Sequence, residues 1–224
     1  MKKCASVFYI IWKDTLSHFR SAATIVSMPI FALITVFIFA FTFKAGQGGT
    51  NAEQNAGIIW IAFAFASTIG LSQAFVNEKE NACLKGLLLC PVERYVIFAG
   101  KLLVSFAIIT IMEAITTPVF LLLFDISCRI PHLIAVIVLT TLGLSVVGTL
   151  LSVISSASRI REILFPILFL PISIPVLLTA ASATSAIFGG QPFGDILWEV
   201  SAIIAFDILF IAISSLVFEV AIEE

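Results

Sequence analysis

Charge is scarce in this chain. Of its 224 residues only 12% are charged, while 60% are hydrophobic. Soluble domains average about 25% charged and roughly 45–50% apolar residues, so a soluble globular enzyme is excluded. A disordered chain is excluded as well, because disorder needs low hydrophobicity together with high charge. Lys and Arg total only 12, and there is no basic stripe of the kind that holds nucleic acid. The four cysteines, Cys4, Cys83, Cys90 and Cys128, show no CxxC spacing and no accompanying histidine pair, so small apolar packing explains them. A phosphate-binding loop is also missing. Gly100-Lys101 is followed by Leu102, and Tyr95 stands where the first glycine of G-x-x-x-x-G-K-[S/T] is required. Any nucleotide hydrolysis must come from a partner.

What the chain has instead is long apolar runs, with a mean hydropathy of +1.16. A helix crossing about 30 Å of hydrocarbon needs roughly 20 apolar residues. Charge-poor stretches of that length lie at about 22–43, 56–76, 102–124, 132–154, 163–187 and 197–218. Backbone amides in lipid must be satisfied within the segment, so each run predicts a helix. They are too long and too continuously apolar for barrel strands, which alternate over about 10 residues. The expectation is an all-α polytopic membrane protein of six spans, one transmembrane domain over 1–224. No cleavable leader is evident, because Lys13 and Asp14 interrupt the early apolar stretch and no small-residue cleavage site follows.

Six spans put both termini on one side. Lys2, Lys3, Lys13, Arg20, Lys79, Lys85, Arg94, Lys101, Arg159 and Arg161 share that side, and only Lys44 and Arg129 fall on the other. The Lys/Arg bias assigns both termini to the cytoplasm. No intrachain disulfide follows from this layout, with Cys4, Cys83 and Cys90 on the reducing side and Cys128 alone outside.

Three cytoplasmic pieces stand out. In Lys3–Arg20, Cys4, Phe8, Trp12, Thr15, Leu16 and Phe19 share one helical face. Lys3, Ser6, Lys13, Asp14, Ser17 and Arg20 share the other, with Val7 and Ile10 as exceptions. This predicts an amphipathic helix lying in the headgroup layer, either a plain anchor or a carrier of motion. Asn77–Lys101 opens with Glu78, Lys79 and Glu80, runs through Leu84, Leu87 and Leu88, breaks at Pro91, and continues with Glu93 and Arg94. Pro91 cannot continue the ladder and biases Cys90 away from helix, which predicts a helix–break–helix elbow. It is a docking element or a surface-lying amphipathic loop. Ser155–Glu162 is short and basic, and lipid contact alone would explain it.

These residues carry a resemblance. Glu78-Lys79-Glu80, Leu84, Leu87-Leu88, Pro91-Val92, Arg94 and Gly100-Lys101 resemble the loop signature of ABC-2-type permeases. Gly57-Ile58-Ile59-Trp60 and the run Leu170-Pro171-Ile172-Ser173-Ile174-Pro175-Val176-Leu177 are similar to the haem exporter protein B (CcmB) family of cytochrome c maturation. The chain departs from that pattern at Ala82, Cys83, Lys85 and the end of its last span. The resemblance implies a non-catalytic permease subunit of a bacterial or organellar inner membrane. It implies pairing with a separate CcmA-like ATPase that uses ATP, beside CcmC-like and CcmD-like subunits. Coupling would run through Glu78, Lys79, Glu80, Leu84, Leu87, Leu88, Pro91, Glu93 and Arg94. The motion would be linked to haem export or to release of a haem-loaded chaperone (CcmE). Two copies, as a homodimer, would match a two-fold ATPase dimer.

Haem is expected as cargo of the complex and not as a cofactor bound by this chain. His18 and His132 are the only histidines and fall on opposite sides of the membrane. Cys90-Pro91 is a dipeptide of a haem-thiolate kind, but the permease-like loop explains its proline. Pro131 argues against Cys128 and His132 sharing a helical face. No metal site is expected.

Two acids remain inside the spans. Glu113 and Asp207 each cost on the order of 2.5–3.5 kcal/mol at a bilayer centre, so both should face protein or a water-filled space. They form a polar pathway or subunit contact, or they are protonated or hydrogen-bonded packing acids. A proton-coupled secondary transporter using Glu113 and Asp207 is the alternative function, although the halves 1–101 and 102–224 show no repeat. A scaffold without transport leaves the elbow unexplained. In span five, Pro166, Pro171 and Pro175 predict a kinked or re-entrant outer half ending at Gly189-Gly190, a hinge or a static fit.

Overall fold

The computed structural model describes residues 22–45, 51–80, 94–156 and 161–220. Among them are six helices long and apolar enough to cross a membrane. They are α1 (Ala22–Ala45), α2 (Ala52–Glu80), α3 (Arg94–Phe124), α4 (Ile130–Ser156), α5 (Arg161–Phe188) and α6 (Leu197–Val220). Each contains one of the apolar runs read from the sequence. A 3₁₀ turn, Phe193–Ile196, leads directly into α6. The amphipathic segment 3–20 lies outside the described residues, as does the elbow core with Leu84, Leu87, Leu88, Pro91 and Glu93.

The helices that flank the elbow are longer than their apolar parts. The apolar window of α2 ends at Gln73 and the helix continues to Glu80; that of α3 begins at Phe98 and the helix starts at Arg94. Arg94–Lys101 is therefore the first part of α3 and not a separate short segment. Nothing in Arg94-Tyr95-Val96-Ile97-Phe98-Ala99 breaks a helix, and Gly100 alone costs only about 1 kcal/mol.

Glycine-type caps finish two helices on the face opposite the elbow. Gly190 has φ +78°, which lets Gln191 N–H donate to Ala186 C=O at 3.0 Å and Gly190 N–H to Ile187 C=O at 3.1 Å. This is the Schellman arrangement, which satisfies carbonyls that α5 leaves open. At the end of α3 the same left-handed position is taken by Asp125 (φ 53°), with Ile126 N–H donating to Leu121 C=O at 3.0 Å. Asp tolerates this conformation better than most side chains. At the start of α2, Gln54 Oε1 accepts from Asn51 N–H at 3.2 Å, half of a capping box.

Proline does not interrupt α5. The helix runs unbroken through Pro166, Pro171 and Pro175, so the re-entrant reading is corrected. Pro171 and Pro175 lie on its exposed side and Pro166 is half-buried. Spanning helices tolerate proline where local adjustment and neighbouring helices satisfy the freed carbonyls.

Two helices are central. The apolar windows of α2 and α4 are each 72% buried, against 17–33% for the other four. α5 packs along both of them, α1 flanks α2, and α6 and α3 flank α4. Phe63, Phe120, Phe169, Ile59, Met112 and Leu144 fill the core without exposed surface of any size. Val26, Ile30, Ile34, Ile38 and Phe41 make an outward apolar stripe on α1, and Ile204, Ile208 and Ile211 lie outward on α6. These faces are apolar because their solvent is hydrocarbon. Lipid gives helices no hydrophobic reason to associate, so close packing and polar contacts must hold the bundle.

Glycine supplies that closeness. A Cβ at Gly70 would collide with the Met28 side chain of α1, and one at Gly148 would stand 2.6 Å from Leu71 Cδ1 of α2 and 3.6 Å from Phe169 Cε2 of α5. Replacing Gly148 by Leu is expected to force α2, α4 and α5 apart and destabilise the fold by about 1–3 kcal/mol. Unfolding in mixed micelles measures it, with Gly148→Ala giving the smaller loss because Leu71 can rotate.

Candidate functional site

Glu113 and Asp207 sit near the middle of α3 and α6. Their residues are only 1% and 3% exposed, so both face protein. Each reaches α4. Thr141 Oγ1 lies 2.5 Å from Glu113 Oε2 and 2.7 Å from Ile137 C=O. One hydroxyl carries one proton. Both contacts are satisfied together when Glu113 is a carboxylic acid donating to Oγ1 while Thr141 donates to Ile137. Glu113 Oε1 has no hydrogen-bond partner among the described residues.

Asp207 occupies a different surface of α4. A Cβ at Gly143 would come within 2.5 Å of Asp207 Oδ1, so the glycine makes the space for the carboxyl. Neither Asp207 oxygen has a hydrogen-bond partner among the described residues. At about 100° per residue, Thr141 and Gly143 point roughly 160° apart around α4. The two acids therefore share a depth but lie in separate seams, α3–α4 and α4–α6, and no hydrogen bond joins them.

The composition of α4 gives the site its direction. Leu133–Leu139 contains no hydroxyl, whereas Thr140, Thr141, Ser145, Thr149, Ser152 and Ser155 are all buried between the middle of the helix and its elbow-side end. Thr141, Ser145, Gly148 and Ser152 fall within about 60° of one another on the helix. Ser145 donates to Thr141 C=O at 2.6 Å, Thr149 to Ser145 C=O at 2.7 Å and Ser152 to Thr149 C=O at 2.7 Å, and Ser155 donates to Leu151 C=O. Each bonds back to its own helix, the usual way a buried hydroxyl is satisfied in lipid. Ser67 of α2 and Ser173 of α5 are fully buried too, but their Oγ atoms have no such partner.

On the opposite face a cavity of about 690 Å³ opens between the start of α2, the end of α5 and the start of α6. Asn51, Glu53, Ser182, Ser185, Gln191 and Glu199 give it polar walls. Ser182 Oγ and Glu199 Oε1 are 3.4 Å apart, at the limit of a hydrogen bond. Glu53 and Glu199 each stand in the first turn of a helix, where a carboxylate complements the macrodipole. Below the cavity, Trp60 Nε1 donates to Thr184 Oγ1 at 2.9 Å and ties α2 to α5. Its ring meets Phe63 edge-on, with centroids 5.6 Å apart.

Of the coupling residues read from the sequence, the backbones of Glu78, Lys79 and Glu80 end α2 and that of Arg94 begins α3. Pro166, Pro171 and Pro175 lie on α5, away from both acids' contacts. The His132 ring lies tilted at 47° against Phe193, with centroids 5.0 Å apart. No group of three metal-ligating side chains forms among the described residues. The sequence reading missed Thr141, Ser145 and Gly143. Their signal was the four-residue hydroxyl spacing inside an otherwise apolar span.

Residues 5–224 match the CcmB protein family. The chain is also similar to heme exporter protein B of Paracoccus denitrificans (strain Pd 1222), 28% identical over 138 residues. That stretch covers 61% of this chain and 63% of the relative, so the match spans just under two thirds of the relative's length.

Two outcomes follow from this geometry. Thr141→Val is expected to loosen the α3–α4 contact by about 0.6 kcal/mol, rising to about 1.7 at most, in an unfolding assay; Thr141→Ser should retain the contact. Burial also pushes the Cys128 thiol above its ordinary value. Since the thiolate is the reactive form, alkylation of Cys128 should lag a free cysteine near pH 8.5 and approach it at more alkaline pH.

Proposed function

The chain belongs to the CcmB protein family, and from that premise we propose that it is a membrane component of haem export in cytochrome c maturation. The observation that carries the reading is a family match over nearly the whole of a six-helix apolar bundle. In this reading the chain is a non-catalytic subunit. A separate CcmA-like ATPase hydrolyses ATP, and CcmC-like and CcmD-like subunits complete the assembly around a homodimer of this chain. Its termini lie in the cytoplasm of a bacterial or organellar inner membrane. The cargo step is haem export or release of a haem-loaded chaperone.

The mechanism we infer uses α2 and α3 as levers. Force from the ATPase enters at residues 78–94, through Leu84, Leu87, Leu88, Pro91 and Glu93 and the flanking Glu78, Lys79, Glu80 and Arg94. A continuous α-helix resists bending, so displacement at Glu80 or Arg94 is carried into the bilayer. There α2 is a central packing helix and α3 holds Glu113 against α4. Movement of α3 relative to α4 would change the Glu113–Thr141 contact first, because it is the polar link between them at mid-depth. Pro166, Pro171 and Pro175 would let α5 follow by bending. The second reading, a proton-coupled secondary transporter, draws support from Glu113 Oε1 and the two Asp207 oxygens, which have no hydrogen-bond partner among the described residues. It is the weaker one because the two acids occupy separate seams.

Leu84→Asp, Leu87→Asp and Glu80→Lys are expected to weaken co-purification of the ATPase by roughly tenfold or more each, the scale of an interface hot spot. Full retention by all three would remove the elbow from the coupling path. Transport by the purified chain alone would favour the second reading.

A further inference from the structure

The cavity between α2, α5 and α6 is walled by polar side chains and by charge of one sign. Glu53 and Glu199 bring carboxyl groups, Asn51 and Gln191 amides, and Ser182 and Ser185 hydroxyls, with no lysine, arginine, histidine or aromatic ring among the described walls. Glu199 Oε2 is buried and has no hydrogen-bond partner among the described residues, while Oε1 has the 3.4 Å contact to Ser182. A second unpaired acceptor stands behind the α2 wall. Asn55 is only 6% exposed, and its Oδ1 lacks a partner among the described residues. Its N–H donates to Asn51 C=O at 3.0 Å, so Asn55 lies one turn beneath Asn51 and Ala52, both of which line the cavity. Helical side chains lean toward the N-terminus, which carries the Asn55 amide toward that wall. Buried acceptors are costly without donors, and the described residues supply none to these two.

The guest these walls suit brings donors and positive charge. About 690 Å³ is the size that takes a side chain or small molecule and is far more than a bare ion needs. No group of three metal-ligating side chains forms among the described residues to close a metal shell. A guanidinium offers five N–H donors in a flat fork, enough to meet carboxylate, hydroxyl and amide oxygens on several sides at once, where an ammonium has three. A free amino acid would set its own carboxylate against Glu53 and Glu199, whereas an arginine within a protein carries none there. We propose that this cavity receives an arginine side chain presented by a protein partner on the face opposite the elbow. Half-buried Glu199 is the inner anchor and exposed Glu53 stands at the mouth. The inference goes beyond the haem-export reading and stands whatever cargo the complex moves.

The test is a saturation-transfer NMR titration of the full chain in phosphatidylcholine nanodiscs. The probe is Nα-acetylargininamide, with the neutral isostere Nα-acetylcitrullinamide, free arginine and calcium chloride as the other arms. The arginine probe is expected to bind saturably, and the citrulline isostere roughly tenfold more weakly or not at all. Glu199→Gln should weaken the probe by roughly tenfold, and the exposed Glu53→Gln by roughly two- to fivefold. Asp125→Asn, an exposed acid on the same face but outside the cavity, should leave binding unchanged. Equal binding of the arginine and citrulline probes would overturn the proposal, as would unchanged binding in both glutamate variants or an equal loss in Asp125→Asn. Displacement of the probe by calcium at a tenth of its concentration would make the cavity a metal site. Free arginine binding as tightly as the amide would replace the protein partner by a small molecule.

Discussion

In hydrocarbon a polar atom has no solvent to fall back on, and that constraint orders this bundle. The buried hydroxyls and acids gather on the central helices and on the faces turned toward them. Glu113 reaches α4, Asp207 reaches α4, and Trp60 of α2 reaches Thr184 of α5. The peripheral helices can then expose isoleucine, leucine and phenylalanine to lipid without penalty. The division between centre and rim is a division between residues that need partners and residues that do not.

Close approach is the second half of the same logic. Polar side chains on neighbouring helices pair only when the backbones come near, and Gly70, Gly143 and Gly148 are the places where a methyl group would intrude. The glycines of α4 and its hydroxyls thus act together: one kind of residue sets the separation, the other uses it. Beyond the bilayer the constraint relaxes. There α2 carries Asn77, Glu78, Lys79 and Glu80 as ordinary helix.

The spans were legible in the sequence because a crossing helix needs a run of about 20 apolar residues and the chain has few charges to interrupt them. That Glu113 and Asp207 turn inward was legible for the same reason. The helix ends were less so. Charged residues stop an apolar run without stopping a helix, so α3 begins at Arg94, eight residues before the apolar stretch read from sequence. Pro171 and Pro175 suggested a break, yet they fall on the exposed side of a continuous α5, where only local carbonyls must adjust. Thr141 was not legible as a partner. Serine and threonine in a spanning helix usually bond to their own backbone, and only the packing shows which of them also meets an acid.

The fit of Asp207 beside Gly143 ties two positions that lie 64 residues apart in the chain. Any side chain gained at 143 takes the volume that the acid fills, and any larger group at 207 loses the only room it has. The pair therefore behaves as a single inherited trait: drift at one position is viable only with a compensating change at the other, so the two should covary where their neighbours vary independently.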